Sequence, residues 1–113
     1  MLRIVEETGS TNADLLAALE KGERLAEGIW LIADRQSAGR GRQGRSWSGG
    51  AGNFMGSTVI RLNPGDPPAA SFAFAAGLAL HEASFALLPE PAALQLKWPN
   101  DLMYGGAKLA GTL

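Results

Sequence analysis

The chain contains no cysteine, which excludes disulfides and thiolate metal ligands and fits a reducing compartment, the cytoplasm. Its single histidine, His81, excludes an imidazole-rich metal site and has no sequence neighbour that would make it a catalytic base. The opening residues 1–7 lack the apolar core of a signal peptide, so none is expected. Only residues 69–88 approach the length of about 20 apolar residues that a membrane span needs. Ser71, His81, Glu82 and Ser84 interrupt that run, and alanine and glycine, both weakly apolar, make up much of the rest. A helix buried against a sheet is expected there, and no membrane partner. A formal net charge of −1 gives no general attraction to nucleic acid, and no nucleic-acid partner is expected.

The most informative absence is local. No Asp or Glu occurs from Arg35 to Gly65, yet Arg35, Arg40, Arg42, Arg45 and Arg61 all fall in that window. Within it, Gly39-Arg40-Gly41-Arg42-Gln43-Gly44-Arg45-Ser46-Trp47 follows directly on an apolar run, Ile29 to Ala33. Glycines let a backbone bend sharply and approach a ligand closely. Arginine forks suit carboxylate and phosphate. Such a loop is suited to holding an anion. Gly39, Gly41 and Gly44 also satisfy G-x-G-x-x-G, but Arg45-Ser46-Trp47-Ser48-Gly49-Gly50 is poor helix material, and the nearest following acid, Asp66, sits in a proline turn. Arginine–glycine segments that bind nucleic acid are usually longer and repetitive. A plain solvated loop is the remaining bland alternative.

Residues 2–5 read as a short strand. Thr11-Asn12-Ala13-Asp14 has the form of a capping box, followed by an apolar stripe of Leu15, Leu16 and Leu19 that closes at Lys21-Gly22. Residues 28–35 read as a strand whose continuous apolar run predicts burial on both faces. A loop over 36–52, a strand over 53–62 and a proline turn over 64–68 lead to the long helix, which ends before Pro89. Residues 94–98 alternate, with Trp98 on the apolar face as a core residue and Lys97 opposite. Residues 102–104, Gly105-Gly106 and 107–113 form a hairpin with a two-residue turn. Its register pairs Met103 with Lys108 and Asp101 with Ala110, which makes Asp101 and Lys108 diagonal neighbours about 7–8 Å apart at Cα. The pattern predicts an α+β domain, a mixed sheet with helices on one side, within a single small domain over 1–113.

Three motifs resemble those of biotin–protein ligases. Gly39 to Trp47 is similar to GRGRxGRxW, Ser10-Thr11-Asn12 opens the first helix as in that family, and Lys97-Trp98-Pro99-Asn100-Asp101 with Lys108-Leu109-Ala110-Gly111 resembles KWPND…KLAG. The resemblance implies the biotin/lipoate ligase fold, related to the class II aminoacyl-tRNA synthetase core. It covers the N-terminal portion of the catalytic domain, with no N-terminal DNA-binding domain and the C-terminal domain absent.

What the resemblance implies for function is two-step chemistry with ATP and biotin as substrates, Mg²⁺ as cofactor and a biotin carboxyl carrier domain as partner. Ser10, Thr11 and Gln36 would hydrogen-bond the ureido end of biotin, with Asn12 and Gly39 also in the biotin site. Arg40, Arg42 and Lys108 would meet its carboxylate and the phosphates, as catalytic residues together with Asp101. Arg45, Trp47 and Asn100 would complete the ATP site, with Asp101 orienting a Mg²⁺ or a neighbouring cation. Ser10 and Thr11 are equally well placed as plain helix caps. Leu109 and Leu113 leave the edge of the last strand apolar, so the chain is expected either to pair that edge with another copy as a homodimer or to be marginally stable and prone to aggregate. The alternatives are a lipoate- or octanoate-type ligase or transferase, and an inactive biotin-binding fragment.

Overall fold

The computed structural model describes all residues, Met1–Leu113, and divides into two compact units, Met1–Leu62 and Asn63–Leu113. In the first, β1 (Leu2–Thr8) and β2 (Trp30–Gln36) run parallel, from Leu2 opposite Trp30 to Thr8 opposite Gln36. Parallel strands need a crossover, here helix α1 (Thr11–Glu20). Strand β3 (Met55–Thr58) pairs antiparallel with the other edge of β2, with Ser57 opposite Leu31 and Met55 opposite Ala33. The core on the α1 side is small: Leu15, Leu25, Ile29 and Leu31, with Val5, Ala18 and Val59 packed against it.

Several elements differ from the sequence expectation. Ser10, not Thr11, is the N-cap of α1, its hydroxyl accepting from the Ala13 amide at 3.3 Å. The acid of the expected box, Asp14, accepts instead from the Thr8 hydroxyl. Of the leucine stripe only Leu15 is buried, while Leu16 and Leu19 face outward. Strand β2 is not buried on both faces. Its inward residues Leu31 and Ala33 are covered by α1, while Trp30 is exposed at 38 % and Leu2 and Ile4 beside it are open. An apolar run on a central strand marks sheet interior along the ladder, and a helix on one side covers one face only.

The second unit carries helix α2 (Phe72–Phe85) and an antiparallel sheet of β4 (Leu94–Lys97), β5 (Asp101–Tyr104) and β6 (Ala107–Gly111). The α+β class is found, but the strands pair in two three-stranded sheets and not in one. Hairpin pairing is local and legible, whereas strand adjacency at long range is not. Helix α2 is expected to be buried, yet only Gly77 on it is, where a Cβ would lie 3.3 Å from Leu96 Cδ2. An alanine-rich helix is apolar all round, so composition does not say which side is covered. Trp98 is exposed at 77 % and stacks on Phe74 with ring centroids 4.6 Å apart, so it is not a core residue. No helix is long and apolar enough to cross a membrane.

The closing hairpin turns at Gly105 (φ +58) and Gly106 (φ +82), left-handed conformations that favour glycine at both positions of a two-residue turn. Met103 pairs with Lys108 as expected. A bulge then intervenes, so Leu102 faces Ala110 and Asp101 faces Gly111, leaving Leu109 as the extra residue. That bulge lies on the outer strand of the sheet, where it blunts the edge a second copy would pair with.

Candidate functional site

The parallel pairing of β1 and β2 ends at Thr8 and Gln36, and two further amides, Ser37 to Thr8 and Ala38 to Gly9, prolong it into the loops. This delivers Gln36 beside the start of α1. The Thr11 amide donates to Gln36 Oε1 at 2.8 Å, and the Thr11 hydroxyl reaches the same oxygen at 3.1 Å. Ser10 and Thr11 are the buried polar residues of the molecule. Because Ser10 takes the cap, the Thr11 hydroxyl is available for this network. A residue that sequence reasoning passed over joins it: Ser57 Oγ lies 2.8 Å from Thr11 Oγ1. The signal was present, since Met55, Ser57 and Val59 alternate toward the core and a lone serine on that face needs a partner.

Beyond Gln36 the glycine–arginine stretch folds into a miniature hairpin. The Trp47 amide donates to the Gly39 carbonyl at 2.8 Å, the Gly41 amide to the Arg45 carbonyl at 2.7 Å, and Arg40 bridges Ser46. A one-turn 3₁₀ segment, Arg42–Gly44, forms the tip. The acid-free window resolves into two groups of arginines. Arg35 is not without an acid, because the parallel register sets it against Glu7 at 3.1 Å. Arg61 donates to the Leu25 carbonyl at 3.3 Å. Arg40, Arg42 and Arg45 are exposed and have no carboxylate partner. Three uncompensated guanidinium groups on one short hairpin repel one another and favour an incoming anion.

Gly39 is required by close approach. A Cβ there would lie 2.7 Å from the Trp47 carbonyl oxygen and 3.1 Å from Gln36 Nε2. Gly39→Ala is therefore expected to open the hairpin and speed tryptic cleavage after Arg40, Arg42 and Arg45 severalfold. Gly41→Ala serves as the control, because its Cβ would meet the nearest atom, the Arg45 carbonyl oxygen, at an ordinary 3.7 Å. Equal cleavage rates for the two variants would show that crowding at Gly39 does not matter.

In the second unit Lys108 Nζ and Asp101 Oδ1 are 2.9 Å apart. The bulge moves Asp101 one residue along, and the long lysine side chain still bridges to it. Lys97 lies opposite Asp101 on β4. The Asn100 side-chain amide donates to the Thr112 carbonyl, and the Thr112 amide returns a bond to the Asn100 carbonyl at 3.0 Å, so Asn100 ties down the end of β6. Asn12 is half-buried in the first turn of α1, and Trp47 is 38 % exposed at the foot of the hairpin. A cleft of about 560 Å³, lined by Glu6, Asp34, Arg35, Ala51, Gly52 and Asn53, contains none of the residues assigned to biotin or ATP. No group of three or more His, Asp or Glu side chains is placed to hold a metal ion.

Residues 5–113 match the model of the biotin/lipoate A/B protein ligase family. The chain is similar to the biotin–[acetyl-CoA-carboxylase] ligase of Paracoccus denitrificans, 44 % identical over 94 % of this chain and 43 % of that protein. It is likewise 44 % identical to the ligase of the same name from Mycobacterium tuberculosis, over 99 % of this chain and 43 % of the relative. It therefore spans less than half the length of these two relatives. Among solved structures it resembles a biotin protein ligase from Aquifex aeolicus in complex with biotin and ATP, with a TM-score of 0.80, 33 % identity, and 99 % of this chain and 45 % of that one covered.

Proposed function

The chain belongs to the biotin/lipoate A/B protein ligase family, and on that premise we propose that it activates biotin with ATP for transfer to a lysine of a biotin carboxyl carrier domain. The observation that carries this reading is the junction of two contrasting surfaces in the first unit. The hydrogen-bonded set of Thr11, Gln36 and Ser57 lies next to a hairpin whose Arg40, Arg42 and Arg45 have no acid to neutralise them. A neutral ureido head suits the first, since its burial is costly without partners. A carboxylate and a polyphosphate suit the second.

In the first step a carboxylate oxygen of biotin attacks the α-phosphorus of ATP. The bond to the β-phosphate oxygen breaks, and pyrophosphate leaves with that electron pair. Two anions must meet, so fixed cations lower the barrier by bringing them together and by stabilising the charge that builds up. Arg40 and Arg42 are assigned to the biotin carboxylate and the phosphates, Arg45 to the ATP phosphates and Trp47 to the adenine. Lys108 is assigned to the carboxylate and α-phosphate oxygens, with Asp101 holding its ammonium at 2.9 Å. In the second step a carrier lysine amine attacks the acyl carbon of biotinyl-5′-AMP. AMP departs, and the amine proton passes to solvent.

Magnesium would reach this chain with ATP. A protein-held Mg²⁺ takes one or two carboxylates plus phosphate oxygens. Here Asp101 is the candidate acid, with its Oδ1 engaged by Lys108, so it would orient a Mg²⁺ carried by ATP, or the neighbouring Lys108 ammonium, through one carboxylate. We place the protein in the cytoplasm, a reading supported by its cysteine-free composition.

The test is biotin-dependent exchange of labelled pyrophosphate into ATP by the 113-residue chain. Exchange that requires biotin supports the proposal. Exchange driven equally by lipoate would move the substrate to the other branch of the family, and binding of biotin without exchange would make the chain a binding module.

A further inference from the structure

We propose that Ser57 is a positioning residue: by donating to the Thr11 hydroxyl it holds that hydroxyl on Gln36 Oε1, reinforcing the amide orientation that the Thr11 backbone N–H sets, in which Gln36 presents its NH₂ as a donor. The inference rests on the reading of the Thr11–Gln36 region as the biotin site, and it adds a residue that none of the three motifs contains.

One donor in this network cannot reverse. The Thr11 backbone N–H only donates, so the Gln36 atom 2.8 Å away is the carboxamide oxygen. The same oxygen lies 3.1 Å from Thr11 Oγ1, which must also donate to it. That uses the single proton of the Thr11 hydroxyl. Toward Ser57, 2.8 Å away, Thr11 Oγ1 can therefore only accept, and Ser57 must donate. Protons run in one direction, from Ser57 to Thr11 to Gln36 Oε1. The Gln36 NH₂ is left on the other side of the amide, beside Gly39, where a Cβ would meet Nε2 at 3.1 Å. It offers two donors and no acceptor, which suits the carbonyl oxygen of a ureido ring.

Thr11 is only 2 % exposed, so water does not replace a lost partner. Without the Ser57 donor its hydroxyl is no longer held toward Gln36, and the amide is restrained by one backbone N–H alone. Strand β3 fixes Ser57 in turn: its register opposite Leu31 puts it on the α1 side of the sheet.

Two measurements on the full chain separate this proposal from the biotin reading. The first needs no ligand and follows the two side-chain amide protons of Gln36 by ¹⁵N-edited NMR. Their signals are expected to be dispersed in wild type, to move toward free-glutamine positions in Ser57→Ala, and to recover in Ser57→Thr, which keeps the hydroxyl. The second is biotin titration. Ser57→Ala is expected to weaken biotin about five- to tenfold, the scale of one hydrogen bond. It should have no further effect when combined with Gln36→Ala, because both substitutions remove the same interaction. Gln36 signals indifferent to Ser57→Ala overturn the proposal whatever biotin does, as do additive losses in the double variant. A wild-type chain that ignores biotin while its Gln36 amide responds to Ser57 overturns the biotin reading and leaves the relay standing.

Discussion

Arg42→Ala is expected to lower biotin-dependent pyrophosphate exchange by about 10²–10³-fold, the usual cost of removing one preorganised electrostatic contact. Thermal stability should stay within about 2 °C of wild type, as for surface substitutions away from the core. Both halves follow from the surroundings of Arg42. Its side chain is exposed and meets no carboxylate, while its backbone carbonyl accepts the Arg45 amide at 3.3 Å, a bond alanine retains. Folding gains little from a guanidinium beside two others, whereas the proposed reaction brings two anions to those charges. Arg42→Lys should fall between, since it keeps the charge and loses the planar fork. Melting curves and exchange rates measured on the same preparations decide the matter. Parallel losses in stability and rate would make Arg42 a structural residue.

The arginines divide into those whose pairing depends on the fold and those left unpaired by it. The acid-free window from Arg35 to Gly65 marked a cationic stretch correctly as a sequence fact, but sequence neighbours do not set ion pairing. The parallel register of β1 and β2 gives Arg35 the carboxylate of Glu7, 28 positions earlier, and a turn near Leu25 takes up Arg61. What remains unpaired is the loop set, Arg40, Arg42 and Arg45. Local rules worked where the determinants were local: Gly105-Gly106 produced the two-residue turn and paired Met103 with Lys108. They failed by one residue at the bulge beyond it, since nothing in Lys108-Leu109-Ala110 announces an extra residue. The cap shifted for a similar reason, because Ser10 and Thr11 are equally good caps by type. Their burial and the reach of Gln36 and Ser57 to Thr11 decide which serves, and those are tertiary facts.

Ile29→Ala is expected to cost about 2–5 kcal/mol, the range for large-to-small changes at buried aliphatic sites. In a small domain that corresponds to a fall in melting temperature on the order of 10–20 °C. Ile29 is 1 % exposed, the most thoroughly buried large side chain in the molecule, in a cluster with only three other buried residues, Leu15, Leu25 and Leu31. With so few neighbours the cavity cannot be shared out by repacking. The backbone around it is also engaged, because the Ile29 carbonyl accepts the Thr58 hydroxyl at 2.7 Å and ties β3 to the start of β2. Loosening this point frees α1, which is held to the sheet through Leu15, and with it Thr11. Biotin binding should then weaken in proportion to the fraction of the first unit unfolded, and return as the temperature is lowered. Leu16→Ala is the matched control: the same type of truncation, at a residue beside Leu15 that is 52 % exposed, should shift stability by about 0.5 kcal/mol or less. The check is a pair of circular dichroism melts. Similar losses for Ile29→Ala and Leu16→Ala would mean that the stability of this unit comes from burial of the open helix face as much as from the four-residue core.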